Sequence, residues 1–408
     1  MLLIDSVEVN GLWGEKTVNL ALNKDYNFLI GDNGTGKTTI INLLVSSLKV
    51  DLSKLWVIKF DEIIIKLSDI KKNNYMEIYV RKGEDDNNYD MINYIVETSK
   101  ENEENEENET KSFLFRNRNN QKSNVIIDED YIIRRESRRK IPEELTEILA
   151  RKIKLSWLPV SRSDSNEIEY DYRSKQQNPV DFRLNIFTSG FIKYASMING
   201  RMSDNTEKFQ QNVFLSLIDP AFIDKMRGDF KLDVKKEREG ITDAFKTLGI
   251  NESRYKTRID KTFSKLHSIV KKREKKNSSI EMEDFVYLFN AMRTHDFVEE
   301  YYKLKNTNET TYKPLSNFVE VLNSIFNGRK TFYISASNEL VVESYNKREV
   351  TLEDLSSGEK QILIILGEAL LQDEKDCIYI ADEPELSLHV TWQENLVAAV
   401  TSINKNTQ

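Results

Sequence analysis

Apolar and polar positions alternate along residues 1–30, with Leu3, Val7 and Val9 on one parity and Val18, Leu20 and Leu22 on the other. A period of two predicts two strands, joined by a loop around Gly11-Leu12-Trp13-Gly14. Tyr26-Asn27-Phe28-Leu29-Ile30 reads as a further short strand, and Thr39–Val45 has helical apolar spacing that should run to about Leu48. Strands are predicted over 56–60, 63–67, 76–80 and 91–96, forming an antiparallel sheet, with 83–90 as a polar turn. Residues 100–124 are rich in Glu, Asn and Lys and have little to bury, which predicts a mobile surface loop. Pro142 opens a helix through about Ile153, with Glu143 and Glu144 in the first turn, where the helix dipole favours acids. A buried strand follows over 155–160, with Arg162 just past its end.

From 180 to 327 the pattern changes to helical spacing, with segments at 206–217, 241–248, 255–276, 281–305 and 315–326 but no sustained heptads. Phe285, Tyr287, Phe289 and Met292 are read there as core. Alternation returns at 331–334, 340–344 and 350–352. An apolar helix over 362–366, an apolar strand over 377–381 and a helix around 396–400 complete the chain. The predicted organisation is an N-terminal lobe 1–179, a helical insertion or lid 180–327 and a C-terminal lobe 328–408, without internal repeats.

Composition narrows the class. The 408 residues are 39% hydrophobic and 31% charged, suited to a soluble chain with a sizeable core. No apolar run is long enough to span a bilayer, and the first residues lack the basic flank of a signal peptide. Cys377 stands alone, which excludes an internal disulfide and a cysteine-based zinc site within one chain. These features predict a cytoplasmic protein with no membrane partner. Net charge is −8, but residues 101–109 hold six glutamates in nine positions, leaving the rest near −2. A nearly neutral body is compatible with basic patches for DNA, and runs at 134–140 and 271–276 are candidates. Acidic Glu84-Asp85-Asp86 and Asp128-Glu129-Asp130 read as solvated turns.

The chemistry concentrates in three short motifs. Gly31-Asp32-Asn33-Gly34-Thr35-Gly36-Lys37-Thr38-Thr39 fits G-x-x-x-x-G-K-[ST]: glycines curl the backbone so that N–H groups meet phosphate oxygens, Lys37 adds charge, and Thr38 offers a hydroxyl to Mg²⁺. Trp13, near this loop, is open to stacking on a base or to packing over its hairpin. Leu355-Ser356-Ser357-Gly358-Glu359-Lys360-Gln361 opens a helix and forms a second anion site. Cys377–Ala381 ends in Asp382-Glu383-Pro384, where Asp382 suits Mg²⁺ and Glu383 suits a base for the attacking water.

Together these motifs resemble an ABC-type ATPase head of the branch containing the RecF and SMC proteins and the OLD nucleases. Glu385-Leu386-Ser387-Leu388-His389 after the acids, and the long insertion, are similar to OLD-like and phage-defence ATPases such as those of Septu-, PARIS- and retron-type systems. The resemblance implies an α/β P-loop fold with a mixed central sheet, an antiparallel β subdomain and a mainly helical insertion. It implies ATP and Mg²⁺ as cofactors, and a homodimer or higher homo-oligomer closed through the ATP site. Asn33, Gly34, Thr35, Gly36, Lys37, Thr38 and Thr39 would hold ATP within one chain. Ser356, Ser357, Gly358 and Glu359 would meet the ATP of the other chain. Thr38 and Asp382 would serve the metal, Lys37 and Glu383 catalysis, and Ser387 and His389 the crossing to the neighbouring subunit.

Such heads carry a further strand and a switch histidine after the acids, whereas the histidines here are His267, His295 and His389. The sequence therefore reads as a head truncated before that strand, or one whose continuation lies beyond these residues. No TOPRIM nuclease is visible, zinc hooks are excluded by the lone Cys377, and a long SMC arm by the short insertion. The leading expectation is an ATPase head that controls a nuclease, in a further domain or a separate subunit, for anti-phage defence or DNA processing. A RecF-like DNA clamp and an assembly scaffold with structural ATP are the alternatives.

Overall fold

A computed structural model describes residues 2–69, 74–84, 90–99, 108–116, 124–126, 140–159, 179–218, 233–274, 281–373, 375–385 and 388–408. Arg162, Ser387, Asp85, Asp86, the 128–130 turn and most of the two basic runs lie outside the described residues. The chain divides into two compact units, one of residues 1–192 with 317–408 and the other of residues 193–316.

In the first unit the period-two segments become strands. β1 (Leu3–Leu12), β2 (Lys16–Ala21), β3 (Glu62–Ser68), β4 (Tyr75–Glu84), β5 (Asp90–Ser99), β6 (Asn108–Arg116) and β7 (Asn124–Ile126) form one sheet. Their order is β2-β1-β3-β4-β5-β6-β7, and every neighbouring pair is antiparallel. Alternate residues Ile63, Ile65, Ile78, Val80, Ile92 and Tyr94 are buried, in one core with Leu43 and Leu145 from α1 (Lys37–Lys49) and α3 (Lys140–Lys152). Burial holds the Tyr94 hydroxyl well above its usual pKa; it donates to the Ser47 carbonyl at 3.3 Å.

Two expectations for this sheet are corrected. Residues 56–60 do not form a strand. Asp51 caps α2 (Leu52–Val57), accepting from the Lys54 amide at 3.3 Å, while Leu55 is fully buried. A local N-cap outcompetes the apolar run. Residues 100–124 are not one loop, because 108–116 is β6. Phe113 and Phe115 alternate inward, and the Phe115 ring meets Tyr94 edge-on at 5.8 Å. Polar flanks mask that three-residue alternation in composition.

The remaining strands are β8 (Leu155–Leu158), which pairs in parallel with β12 (Ile378–Ala381), and the antiparallel trio β9 (Lys330–Ile334), β10 (Leu340–Ser344) and β11 (Glu349–Val350). Along the other edge of β12, the Tyr379 amide donates to the Gln408 carbonyl at 2.9 Å and the Gln408 amide to the Cys377 carbonyl at 3.0 Å. The Gln408 side chain in turn bonds the backbone of Ile4 on β1. Cys377 is buried, which raises its thiol pKa.

The predicted strand at Tyr26–Ile30 is absent: these residues are irregular, and Phe28 and Ile30 are 65% and 89% exposed. No described strand pairs with them, and extended backbone without ladder partners keeps its polar groups for water. The Asn27 side chain instead bonds Asn23, its Oδ1 accepting from the Asn23 amide and its Nδ2 donating to the Asn23 carbonyl.

The helices are longer than the pattern predicts. α4 covers Pro179–Ser216, α5 Val234–Thr247, α6 Glu252–Glu274 and α7 Met282–Phe326; α8 (Ser357–Leu371) and α9 (Val390–Ile403) follow. The expected break between 305 and 315 does not occur, although Pro314 lies inside α7. Fully buried Leu315, Phe318 and Leu322 hold the turns after it, offsetting the hydrogen bond that proline removes. In the second unit Tyr255, Ile259, Phe263, Leu266 and Ala291 share a core. Met292 is buried there as expected, but Phe285 is exposed.

Within the first unit α8 and the start of α4 approach closely. A Cβ at Gly367 would collide with the Phe187 ring, which is fully buried and stacked among Phe191 and Phe318 at 5.8 and 6.3 Å. Lys360 also reaches Asp181 at 2.6 Å. Gly367→Ala is expected to lower stability by about 1–3 kcal/mol, the usual cost of overpacking, and Phe187→Leu in the same chain to recover most of it. Urea unfolding of both variants checks this; an unchanged midpoint for Gly367→Ala would refute the contact.

Candidate active site

The glycine-rich loop is shaped by backbone that other residues resist. Gly34 and Gly36 have φ of 82° and 99°, in the left-handed region. Gly36 caps α1, its carbonyl accepting the Ile40 amide at 2.9 Å, and the first amides of α1 therefore open toward the loop. Thr35 closes the turn through its hydroxyl, which donates to the Asp32 carbonyl at 2.8 Å. The Lys37 ammonium donates to two carbonyls of its own loop, Gly31 at 2.6 Å and Asp32 at 2.9 Å. An incoming phosphate must draw it away from those carbonyls. Asn33 and Thr39 belong to the same exposed turn and first helical turn, respectively.

The acidic pair meets this loop. β12 is seated by β8, and the Asp382 amide extends the pairing by donating to the Leu158 carbonyl at 3.0 Å. This places the buried Asp382 carboxyl beside Thr38, which favours its ionised form, and within the field of Lys37. Burial raises its pKa above the ordinary carboxylate value, against the lowering effects of the Thr38 bond and the Lys37 charge. One buried carboxylate beside one hydroxyl suits Mg²⁺, which takes few protein ligands and fills its shell with phosphate oxygens and water. Among the described residues no group of three or more His, Cys, Asp and Glu side chains forms a metal cluster. Glu383 is exposed and has a φ of 46°. A non-glycine residue in that region carries about 1–3 kcal/mol of strain, a feature that gathers at functional sites.

The second helix N-terminus is built differently. Ser356 caps α8 in a reciprocal box: its amide donates to Glu359 Oε2 at 2.8 Å, and the Glu359 amide donates to its hydroxyl oxygen at 3.4 Å. Lys330 also donates to Glu359 Oε2, at 2.6 Å. Burial opposes ionisation of Glu359, but the Lys330 and Ser356 bonds outweigh it and lower the pKa. Glu359 thus holds the helix end together, and exposed Ser357 forms its outward part, with Gly358 buried behind it. Among the described residues, no hydrogen bond or ion pair joins Ser356–Glu359 to the Gly31–Thr39 loop of the same chain. His389 caps α9, accepting from the Thr391 amide at 3.3 Å.

Lys330 carries no sequence signal, since it follows an ordinary turn far from the motif it braces. The Lys360–Asp181 pair is equally silent. The strain at Glu383 has a partial signal in its place between an acid and a proline.

The family model of the AAA ATPase domain matches residues 3–408. No curated protein matches the chain.

Asp382 generates a pH signature. Its carboxyl is harder to ionise folded than unfolded, so the native state loses stability as pH rises above the unfolded value of 3.8. Asp382→Asn keeps an acceptor for Thr38 and removes that charge. Without metal it is expected to melt above the parent chain at pH 7 and together with it at pH 3. Calorimetry at the two pH values reads the difference; a gain equal at both would reject the electrostatic cause.

Proposed function

From the premise that the chain belongs to the AAA ATPase domain family, we propose that it is an ATP-hydrolysing head that works as two copies closed around two nucleotides and controls a nuclease in anti-phage defence or DNA processing. The observation that carries the ATPase part is the contact between Thr38 on the phosphate loop and the buried Asp382 carboxyl, with exposed Glu383 next in the chain. Thr38 and Asp382 would hold Mg²⁺, which would supply charge neutralisation on the triphosphate. Lys37 leaves the Gly31 and Asp32 carbonyls for phosphate oxygen. The loop amides orient the phosphate chain. Glu383, exposed next to Asp382, takes the proton of the attacking water.

The case for two copies rests on the second motif. Ser356 and Ser357 at the start of α8 are exposed, and among the described residues no hydrogen bond ties the Ser357 or Gly358 amide to another part of the chain. A γ-phosphate held by another copy is the ligand that completes them. Control of a nuclease follows from the resemblance to OLD-like heads. The DNA-clamp reading draws on the basic runs; of these, Lys272 is paired with Asp284 at 3.5 Å, so the observations favour the first reading.

Glu383→Gln is expected to lower ATP turnover at least about 100-fold while ATP still binds. Lys37→Ala and Ser357→Arg should each be inactive alone. Mixed in equal amounts, they should regain about a quarter of parental turnover, since one intact site forms in each mixed pair of a closed two-fold assembly. A silent mixture, with no nucleotide-dependent association by light scattering, would rule out the composite site.

A further inference from the structure

The turn that opens α8 holds a carboxylate beside the place where an anion is to arrive. Glu359 lies in the first turn of the helix, next to exposed Ser356 and Ser357. An unpaired negative charge there would repel a phosphate approaching the serines. Lys330 removes that repulsion. Its ammonium donates to Glu359 Oε2 at 2.6 Å, and the two side chains are only 17% and 16% exposed. A pair withdrawn from water in this way is little screened by salt. Burial opposes the ionised form of Glu359, and the Lys330 and Ser356 bonds outweigh it.

Lys330 is held in place independently of Glu359. It begins β9, just past the end of α7, where Asn327 and Gly328 turn the chain with φ of 47° and 74°. Asn323 grips the strand from the helix: its Oδ1 accepts the Phe332 amide at 2.7 Å, and its Nδ2 donates to the Phe332 carbonyl at 3.0 Å. The buried Phe326 ring meets Phe332 at 4.7 Å and Trp392 at 5.4 Å. The Trp392 indole donates in turn to the Ile325 carbonyl at 3.1 Å. The start of β9 is therefore tied to the end of α7 and to α9, and the ammonium is delivered to one spot. The helix end itself does not require this. A capping box is complete with an uncharged glutamine in the place of Glu359, so what Lys330 adds is charge and fixity.

We propose that Lys330 is a positioning residue for the ATP held by the second copy: it cancels the Glu359 charge and fixes that carboxylate, so that the Ser356–Ser357 turn meets the γ-phosphate as a neutral, pre-shaped surface. This rests on the two-copy reading given above. Lys330 acts through Glu359 and on the neighbour's nucleotide, whereas the phosphate loop of its own chain is served by Lys37.

The mixture of Lys37→Ala and Ser357→Arg chains provides the test, because the first lends its serine turn and the second its phosphate loop. Lys330→Met keeps the stem and removes the charge. Added to the Lys37→Ala chain, it should lower the restored turnover about tenfold; added to the Ser357→Arg chain, it should have no comparable effect. Lys330→Arg in the Lys37→Ala chain should retain most of the turnover. Glu359→Gln added to Lys330→Met should recover much of the loss, since glutamine still caps the helix without the charge. A merely mechanical brace would gain nothing from that second change. Equal losses whichever chain carries Lys330→Met, no loss in either, or no recovery by Glu359→Gln would overturn the role of Lys330 and leave the composite site standing. A starting mixture that is itself silent would overturn the composite site and this inference with it.

Discussion

A carboxylate buried at the end of β12 and set against the first turn of α1 is the constraint on which the site depends. Asp382 cannot sit there unless β8 on one edge and the Gln408 backbone on the other hold β12 in place. The charge it bears is costly in that setting, and among the described residues Thr38 and Lys37 offset part of that cost. A buried anion with modest compensation is matched best by a cation. If this corner takes Mg²⁺ as proposed, its affinity for the metal and its cost to the metal-free protein would be two sides of the same burial.

The two glycine-bearing helix starts solve opposite problems. Around α1, left-handed glycines turn amides outward and leave Lys37 only main-chain carbonyls to hold it. Around α8, the capping box and Lys330 consume Glu359 and stiffen the turn. A loop that must envelop a ligand keeps weak, exchangeable partners; a turn that must press against one benefits from being braced.

Sequence patterns reveal what depends on neighbours in the chain. The phosphate loop, the acidic pair, the Ser356 cap and the hairpins from β1 to β5 are legible because each is set by spacing over a few residues. Tyr26–Ile30 is misread because strand formation depends on a partner edge, which no local pattern reports. Trp56–Phe60 is misread because Asp51 offers a cap just upstream, and β6 because two inward phenylalanines carry its whole signal. Contacts such as Lys330–Glu359, Thr38–Asp382 and Trp13–Gly36 join distant segments or pass through space at one residue's width. Motif order makes the second foreseeable, and the hairpin position of Trp13 near the phosphate loop points to the third; nothing in the chain announces the first.

The parallel pairing of β8 with β12 also bears on the order of folding. The seven-stranded sheet is built mostly from adjacent antiparallel strands, whose ladders close between neighbours in the chain. β12 must instead find β8 across the whole intervening helical segment, Leu155 aligning with Ile378. Contacts of such separation form late, because loop closure is paid for before the pairing returns anything. During synthesis the phosphate loop therefore emerges and folds well before its acidic partner exists. A nascent chain could display the cradle, but the acidic partner reaches it only once the β8–β12 pairing forms.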